Sequence, residues 1–181
     1  MNAFISITLL LGLMMTTLTV QAQKKAIHLE TTQRIKAEKA EVFDVIRSLS
    51  RFPEWSPFIL EDPEQKITLG GQDGTIGSTY HWLGVAEKSE GTQTLAALEG
   101  EEYVRMECDI TVPFKSAPTF EYQLSQEGDE VLVKQIFHLP CSGVSYFMMK
   151  LLGIQKKMEE TNQLGMNRLK ELIERQTTLS K

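Results

Sequence analysis

The chain carries Arg51-Phe52-Pro53-Glu54-Trp55-Ser56-Pro57-Phe58 and, after a short spacer, Gly74-Thr75-Ile76-Gly77-Ser78-Thr79-Tyr80-His81-Trp82-Leu83-Gly84. The first stretch places a tryptophan in a turn bounded by two prolines, which cannot continue a helix. Residues 37–49 before it have the apolar spacing of an amphipathic helix, so the turn is expected to end that helix. The second stretch predicts an aromatic strand over residues 77–85, bracketed by glycines.

The rest of the chain alternates strand-like segments with turns and then ends in helices. The clearest signal is in residues 103–112, where Val104, Met106, Cys108 and Ile110 alternate with charged residues, as in a half-buried strand. Strands are predicted at 27–35, 65–69, 77–85, 92–98, 103–112, 119–125 and 131–139, and helices at 146–152 and 154–174. This order predicts an α+β domain, with an antiparallel sheet and a long C-terminal helix, and excludes a doubly wound parallel sheet.

Residues 1–22 form a separate segment that carries no charged side chain. Its apolar run ends at Val20-Gln21-Ala22, which suits signal peptidase and predicts cleavage before Gln23. An uncleaved membrane anchor is the alternative. About 20 apolar residues can span a bilayer, and Lys24 and Lys25 follow the run, the wrong charge asymmetry for export. The sequence predicts a signal peptide at 1–22, one domain at 23–181, and an exported protein, periplasmic or secreted.

Charge and motifs exclude several classes of function. The formal net charge of −5 argues against a nucleic-acid partner and against docking on anionic lipid. The histidines, His28, His81 and His138, lack metal-ligand spacing, and the sequence contains no phosphate loop, Gly-x-Gly-x-x-Gly or Gly-x-Ser-x-Gly motif. We therefore expect no metal or cofactor and assign no catalytic residue. An apolar small molecule is the expected partner, and membrane contact is expected only through residues 1–22 if they stay attached.

The order and spacing of these motifs resemble the START-like superfamily, also called SRPBCC or polyketide cyclase/dehydrase-like. The resemblance covers residues 27–174. It rests on Ala40-Glu41-Val42-Phe43-Asp44-Val45-Ile46, Trp55-Ser56-Pro57, Gly77-Ser78, Tyr80, Trp82, Gly84, Gly165, Leu169-Lys170 and Leu172. It implies a helix-grip fold, in which a curved antiparallel sheet wraps around the C-terminal helix and encloses an apolar cavity. The Trp-Ser-Pro turn and the Tyr-x-Trp-x-Gly strand resemble those of bacterial members, and the family offers no universal catalytic motif.

The resemblance implies that inward-facing side chains line this cavity and bind a lipid-like, polyketide-like or aromatic guest. The candidate lining residues are Tyr80, Trp82, Met106, Cys108, Phe120, Tyr122, Phe137, Met158 and Gly165. Tyr80 and Trp82 are two residues apart on a strand, so they point to the same face. A filled core would use the same residues, and the sequence leaves both interpretations open.

Four residues, two of them among these candidates, have two interpretations each. Gly165 inside a helix costs about 1 kcal/mol relative to alanine, and it either opens room above the sheet or allows close packing. Trp55 either gates the mouth of the cavity or is a packing residue that fixes the exit of the preceding helix. Cys108, predicted to be a small core residue, and Cys141 either form a disulfide or stay free.

Three functions compete at this point. The first is a non-enzymatic binder of an apolar small molecule. The second is a cyclase/dehydrase-type enzyme, which needs a buried titratable group facing the cavity. The third is an interaction domain of the chaperone-cofactor kind, for which a large exposed apolar patch without an internal cavity would be the signature.

Overall fold

The computed structural model describes residues 25–86 and 88–179. The predicted signal peptide, or anchor, at residues 1–22 lies outside the described residues. Within the described ranges, none of the helices combines the length and apolar character needed to cross a membrane.

In the described part of the chain, seven antiparallel strands form one curved sheet. The strands are β1 (Lys25–Ile35), β2 (Lys66–Gly70), β3 (Thr79–Leu83), β4 (Glu90–Glu99), β5 (Tyr103–Val112), β6 (Thr119–Glu127) and β7 (Glu130–Cys141). Their order is β1-β7-β6-β5-β4-β3-β2, so β2 to β7 follow one another as hairpins and β1 joins at the β7 edge. A register shift between Leu95 and Ala97 interrupts the β4–β5 ladder, and such bulges bend a strand.

The described residues also form five helices: α1 (Lys39–Arg47), α2 (Phe52–Trp55), α3 (Phe58–Glu61), α4 (Gly143–Leu151) and α5 (Ile154–Leu179). The predicted α+β helix-grip architecture is confirmed, with the long helix α5 at the C-terminus. The proline turn forms two short helices, because Pro53 and Pro57 lie at helix starts, where a missing N–H costs nothing.

The helical spacing of residues 154–174 predicts a buried stripe on α5 made of Ile154, Met158, Thr161, Gly165, Leu169 and Leu172. The buried face that the structure shows is displaced from this stripe. Gly165 and Leu169 are buried as expected, but the helix also buries Asn162, Met166 and Ile173, while Thr161 and Leu172 are only half-buried. The helix faces both the sheet and the α2–α3 turn, so its buried face is wider than a stripe directed at the sheet alone.

Asp73 in the β2–β3 turn holds the end of α1. Its carboxylate accepts hydrogen bonds from Ser48 Oγ (2.6 Å), Leu49 N (2.7 Å), Ser50 N (3.2 Å) and Ser50 Oγ (2.6 Å). Partial burial acts to raise the pKa of Asp73, but the hydrogen bonds from both serines and the backbone outweigh it and lower that pKa. The turn thus fixes where the chain leaves α1 and enters the proline turn.

The buried apolar side chains fall into two clusters. The larger surrounds α1, Trp55, the middle of the sheet and the second half of α5. The smaller consists of Ile27, Leu29, Phe137 and Leu139, with Met158 packed against it. Phe120 packs against both clusters.

Cys108 and Cys141 are both free thiols. They lie on β5 and β7, with β6 between them. Two strand spacings are about 9–10 Å, which exceeds the roughly 7 Å that a disulfide can bridge between Cα atoms. The prediction that Cys108 is a core residue agrees with its burial.

Candidate functional site

A cavity of about 460 Å³ lies between the sheet and the first turns of α5. Strands β3 to β7 form its floor, and the α2–α3 region closes one side. The volume falls within the range of about 300–1,000 Å³ that is typical of small-molecule sites. Side chains of both apolar clusters line it, including Tyr80 of the larger cluster and Leu139 of the smaller one.

Six of the nine predicted site residues line this cavity. They are Tyr80, Trp82, Cys108, Phe120, Phe137 and Met158. Cavity lining and core filling, the two interpretations of the aromatic residues, both apply to Tyr80. It is only 3% exposed, packs in the core and also forms part of the cavity wall. Their role in binding a ligand stays a prediction.

The other three predicted residues lie elsewhere. Met106 is 1% exposed and does not line the cavity. Gln93 of the neighbouring strand does line it and donates a hydrogen bond from Nε2 to Met106 Sδ at 2.8 Å. Tyr122 and Gly165 line a separate, much smaller void next to the cavity.

Gly165 serves close packing. A Cβ atom at this position would lie 3.2 Å from Pro57 Cδ and 3.5 Å from its Cγ. Since the helix rests directly on the proline turn, the structure favours close packing over the alternative in which Gly165 opens room above the sheet.

Trp55 is a packing residue and is 1% exposed. Its ring meets those of Phe52 and Tyr122 edge to face, with centroid separations of 5.1 and 6.1 Å. Phe52 in turn packs edge to face on Tyr80 at 5.4 Å. This aromatic chain joins the exit of α1 to the cavity wall, so the turn that decides the fold also shapes the cavity.

The indole of Trp82 packs on β4 backbone at a position that has no side chain. Its cross-strand partner is Gly91, and a Cβ atom there would lie 2.5 Å from both Cζ2 and Cη2 of the indole. Glycine inside a strand often marks such a close approach. The indole therefore lies against β4 and leaves the space in front of it to the cavity.

The titratable side chains of the cavity floor are protonated near neutral pH. Burial raises the pKa of the Cys108 thiol to about 12 and that of the Tyr80 phenol to about 12. Cys108 Sγ lies 3.7 Å from Gln93 Oε1, to which it donates. Neither side chain is therefore set up as a nucleophile or a general base.

Asp62 is a cavity residue that sequence reasoning missed. It follows α3, is 4% exposed, and lines the cavity together with Glu61. Its Oδ2 accepts the backbone N–H groups of Val85 (2.7 Å) and Ala86 (3.0 Å). The carboxylate thus ties α3 to the β3–β4 loop and anchors one side of the cavity. The sequence Glu61-Asp62-Pro63-Glu64 signals a turn, but nothing in it signals burial.

The remaining acids and histidines lie outside the cavity. Glu107 and Asp109 are exposed, as predicted from their phase on β5. His81 points to the face opposite Tyr80, where Nδ1 is 3.1 Å from Thr92 Oγ1. Across residues 25–86 and 88–179, no group of three or more histidine, cysteine, aspartate or glutamate side chains could hold a metal ion.

Comparison with known proteins agrees with this architecture. Residues 26–174 match the family described as polyketide cyclase/dehydrase and lipid transport. No curated protein matches the chain by sequence.

Solved structures share the fold at low sequence identity. A protein of unknown function from Staphylococcus aureus superposes with a TM-score of 0.65 at 14% identity, covering 86% of this chain and 98% of that one. Norcoclaurine synthase from Thalictrum flavum has a TM-score of 0.62 at 11% identity, covering 83% and 87%. A protein from Chromobacterium violaceum has a TM-score of 0.60 at 12% identity, covering 81% and 96%.

Proposed function

The chain belongs to the polyketide cyclase/dehydrase and lipid transport family, and from this premise we propose that it is a container for an apolar small molecule. The observation that carries the proposal is the 460 Å³ cavity with its aromatic and aliphatic walls. A guest that loses about 300 Å² of apolar surface gains about 7.5 kcal/mol at roughly 25 cal/mol per Å². Before the cost of immobilisation, that gain corresponds to binding in roughly the micromolar range.

Export is part of the proposal. The apolar segment at residues 1–22 supports a mature protein of residues 23–181 in an extracytoplasmic compartment. A carrier there would hold an apolar molecule away from water between membranes or outside the cell. Its net negative charge favours a neutral guest over an anionic one.

The enzyme alternative has weaker support. Cys108 and Tyr80 face the cavity in their protonated forms, and Asp62 is already engaged by two backbone N–H groups. The expected signature of the interaction-domain alternative is a large exposed apolar patch in a protein without an internal cavity. Exposed apolar side chains do occur on α4, such as Phe147 and Leu151, but the cavity is present as well.

Native mass spectrometry of residues 23–181 after exposure to a lipid extract tests the container. The wild-type protein is expected to retain an apolar mass, and naphthalene is expected to bind it in solution. Met158→Trp adds an indole to the cavity wall and should abolish both. Leu164→Trp makes a similar change on an exposed part of the same helix and should leave both intact.

Two results would count against the container. One is a wild-type protein that retains no mass and binds no naphthalene. The other is equal loss of binding in Met158→Trp and Leu164→Trp, because binding would then depend on the helix as a whole and not on the cavity.

A further inference from the structure

We propose that the guest carries a single uncharged hydroxyl group, which enters the small void beside the cavity and hydrogen-bonds to Trp55, Gln135 and Asn162. This inference rests on the proposed container function and specifies the chemistry of the guest. It starts from polar atoms that the packing of the protein itself does not satisfy.

Three buried polar atoms around the void lack a hydrogen-bond partner within the described part of the chain: Trp55 Nε1, Gln135 Oε1 and Asn162 Nδ2. The three residues are 1%, 3% and 6% exposed. All three line the same void of about 10 Å³, which is close to the minimum volume for one water-sized group. Buried polar atoms normally have partners, because leaving one unpaired costs about 1–3 kcal/mol.

The three atoms match the hydrogen-bonding capacity of a hydroxyl group. Trp55 Nε1 and Asn162 Nδ2 are donors and Gln135 Oε1 is an acceptor, while a hydroxyl oxygen accepts two hydrogen bonds and donates one. A carbonyl group would satisfy the two donors but leave Gln135 Oε1 unpaired. A carboxylate would do the same and would also bury a charge, because no cationic side chain lines the void.

The void and the cavity are neighbours. Phe52, Phe58, Gln93, Phe120, Thr161 and Asn162 line both. An apolar body can therefore lie against Tyr80 and Trp82 in the cavity while its hydroxyl group reaches the void. A water molecule can make the same three hydrogen bonds, and a hydroxyl group that displaces it reproduces them.

Gln135 is held in position for this role. Its Nε2 donates to Tyr122 Oη at 3.0 Å, and Tyr122 is itself packed edge to face on Trp55. The amide nitrogen is therefore engaged, and Oε1 is left without a partner among the described residues, in a side chain that lines the void.

Two probes that differ by one hydroxyl group test the proposal: naphthalene and 2-naphthol. With the wild-type protein, 2-naphthol should bind about tenfold more tightly, the effect of one well-made buried hydrogen-bonding group. In a ¹⁵N-edited NMR titration, the Trp55 indole N–H signal should move with 2-naphthol and stay with naphthalene. Trp82→Phe assigns that signal, since the chain has two tryptophans.

Asn162→Leu removes one donor while roughly keeping the side-chain volume. It should reduce the ratio of the 2-naphthol affinity to the naphthalene affinity to less than about threefold, since half or more of a tenfold effect depends on that donor. The ratio within the variant is the readout, because Asn162 also lines the cavity and its replacement acts on both probes. Ser78→Ala is the matched control. Ser78 Oγ is also buried without a partner among the described residues, but it lines neither the cavity nor the void, so the tenfold preference should remain.

Each outcome bears on a different claim. Equal affinities for the two probes, with the Trp55 signal unmoved, would overturn the hydroxyl site and leave the container standing. A tenfold preference that survives Asn162→Leu would also overturn it. Absence of binding by both probes would instead refute the container function itself.

Discussion

Replacing Gly91 by alanine tests whether the indole of Trp82 can pack on β4 only because Gly91 has no side chain. The new Cβ atom would lie 2.5 Å from Cζ2 and Cη2 of the indole and 2.8 Å from the carbonyl oxygen of Asp109. Ordinary contacts at such a position are 3.4–4 Å, so the overlap with the ring is about 1 Å. Trp82 lines the cavity, so we expect the displaced indole to move into that space, whereas the carbonyl group belongs to the main chain of β5.

The magnitude follows from two opposed effects. Overpacking costs about 1–3 kcal/mol, and the upper end applies because main chain is involved. Glycine in a strand costs about 0.5–1 kcal/mol relative to alanine, which the substitution recovers. We expect Gly91→Ala to lower the free energy of unfolding in urea by about 2 kcal/mol, and to weaken naphthalene binding about tenfold or more as the indole enters the cavity.

A control and a double mutant make this reasoning refutable. Gly143→Ala places a Cβ atom where nothing lies within 4 Å and should change stability by less than about 0.5 kcal/mol. In a Trp82→Ala background, Gly91→Ala should cost clearly less, since only the carbonyl contact remains. The same cost with and without the indole would refute the role assigned to the ring.

Three further predictions concern the carboxylates and thiols. Asp62→Ala removes a buried acceptor of two backbone N–H groups and should cost about 3 kcal/mol in urea unfolding, with faster hydrogen exchange of those two amides; the neighbouring exposed Glu61→Ala should do neither. Asp73→Asn should destabilise the protein at neutral pH. Folding lowers the pKa of Asp73, so its carboxylate contributes to the free energy of unfolding at pH values above the ordinary pKa of 3.8. That contribution is lost as the pH falls through the lowered pKa. The stability curves of the wild-type and mutant proteins should therefore converge in acid and not at high pH. Maleimide at pH 8 should modify Cys141 in the folded protein well before Cys108, whose thiol is buried with a pKa of about 12; similar rates for both thiols without urea would contradict the assigned burial.

The sequence was most informative where one face of an element is buried and the other is exposed. Strand β5 runs from Tyr103 to Val112, as its alternation predicted, because a half-buried strand has a strict period of two. Strand β4 begins earlier than predicted, at Glu90. Glycine is typical of turns, so the predicted strand began after Gly91. In the structure Gly91 lies inside the strand, where the indole of Trp82 packs on its backbone.

The sequence predicted which side chains of the site face the interior, but not which of them line the cavity. The phase of β5 indicated that Met106 and Cys108 face inward, and both do. The side chain of Gln93, supplied by the neighbouring strand, contacts both of them, yet Cys108 lines the cavity and Met106 does not. Asn162 and Asp62 are polar residues buried by tertiary packing, and local pattern favours solvent for both.

The division of the interior into two clusters bears on how the protein unfolds. The cluster of Ile27, Leu29, Phe137 and Leu139 meets the rest of the core through Phe120, and the cavity occupies part of the boundary. Because Phe120 packs against both clusters and joins them, each cluster is expected to unfold as a partly independent unit. A guest in the cavity would contact both clusters. Ligand binding would therefore make unfolding more cooperative, and it would also raise stability by mass action.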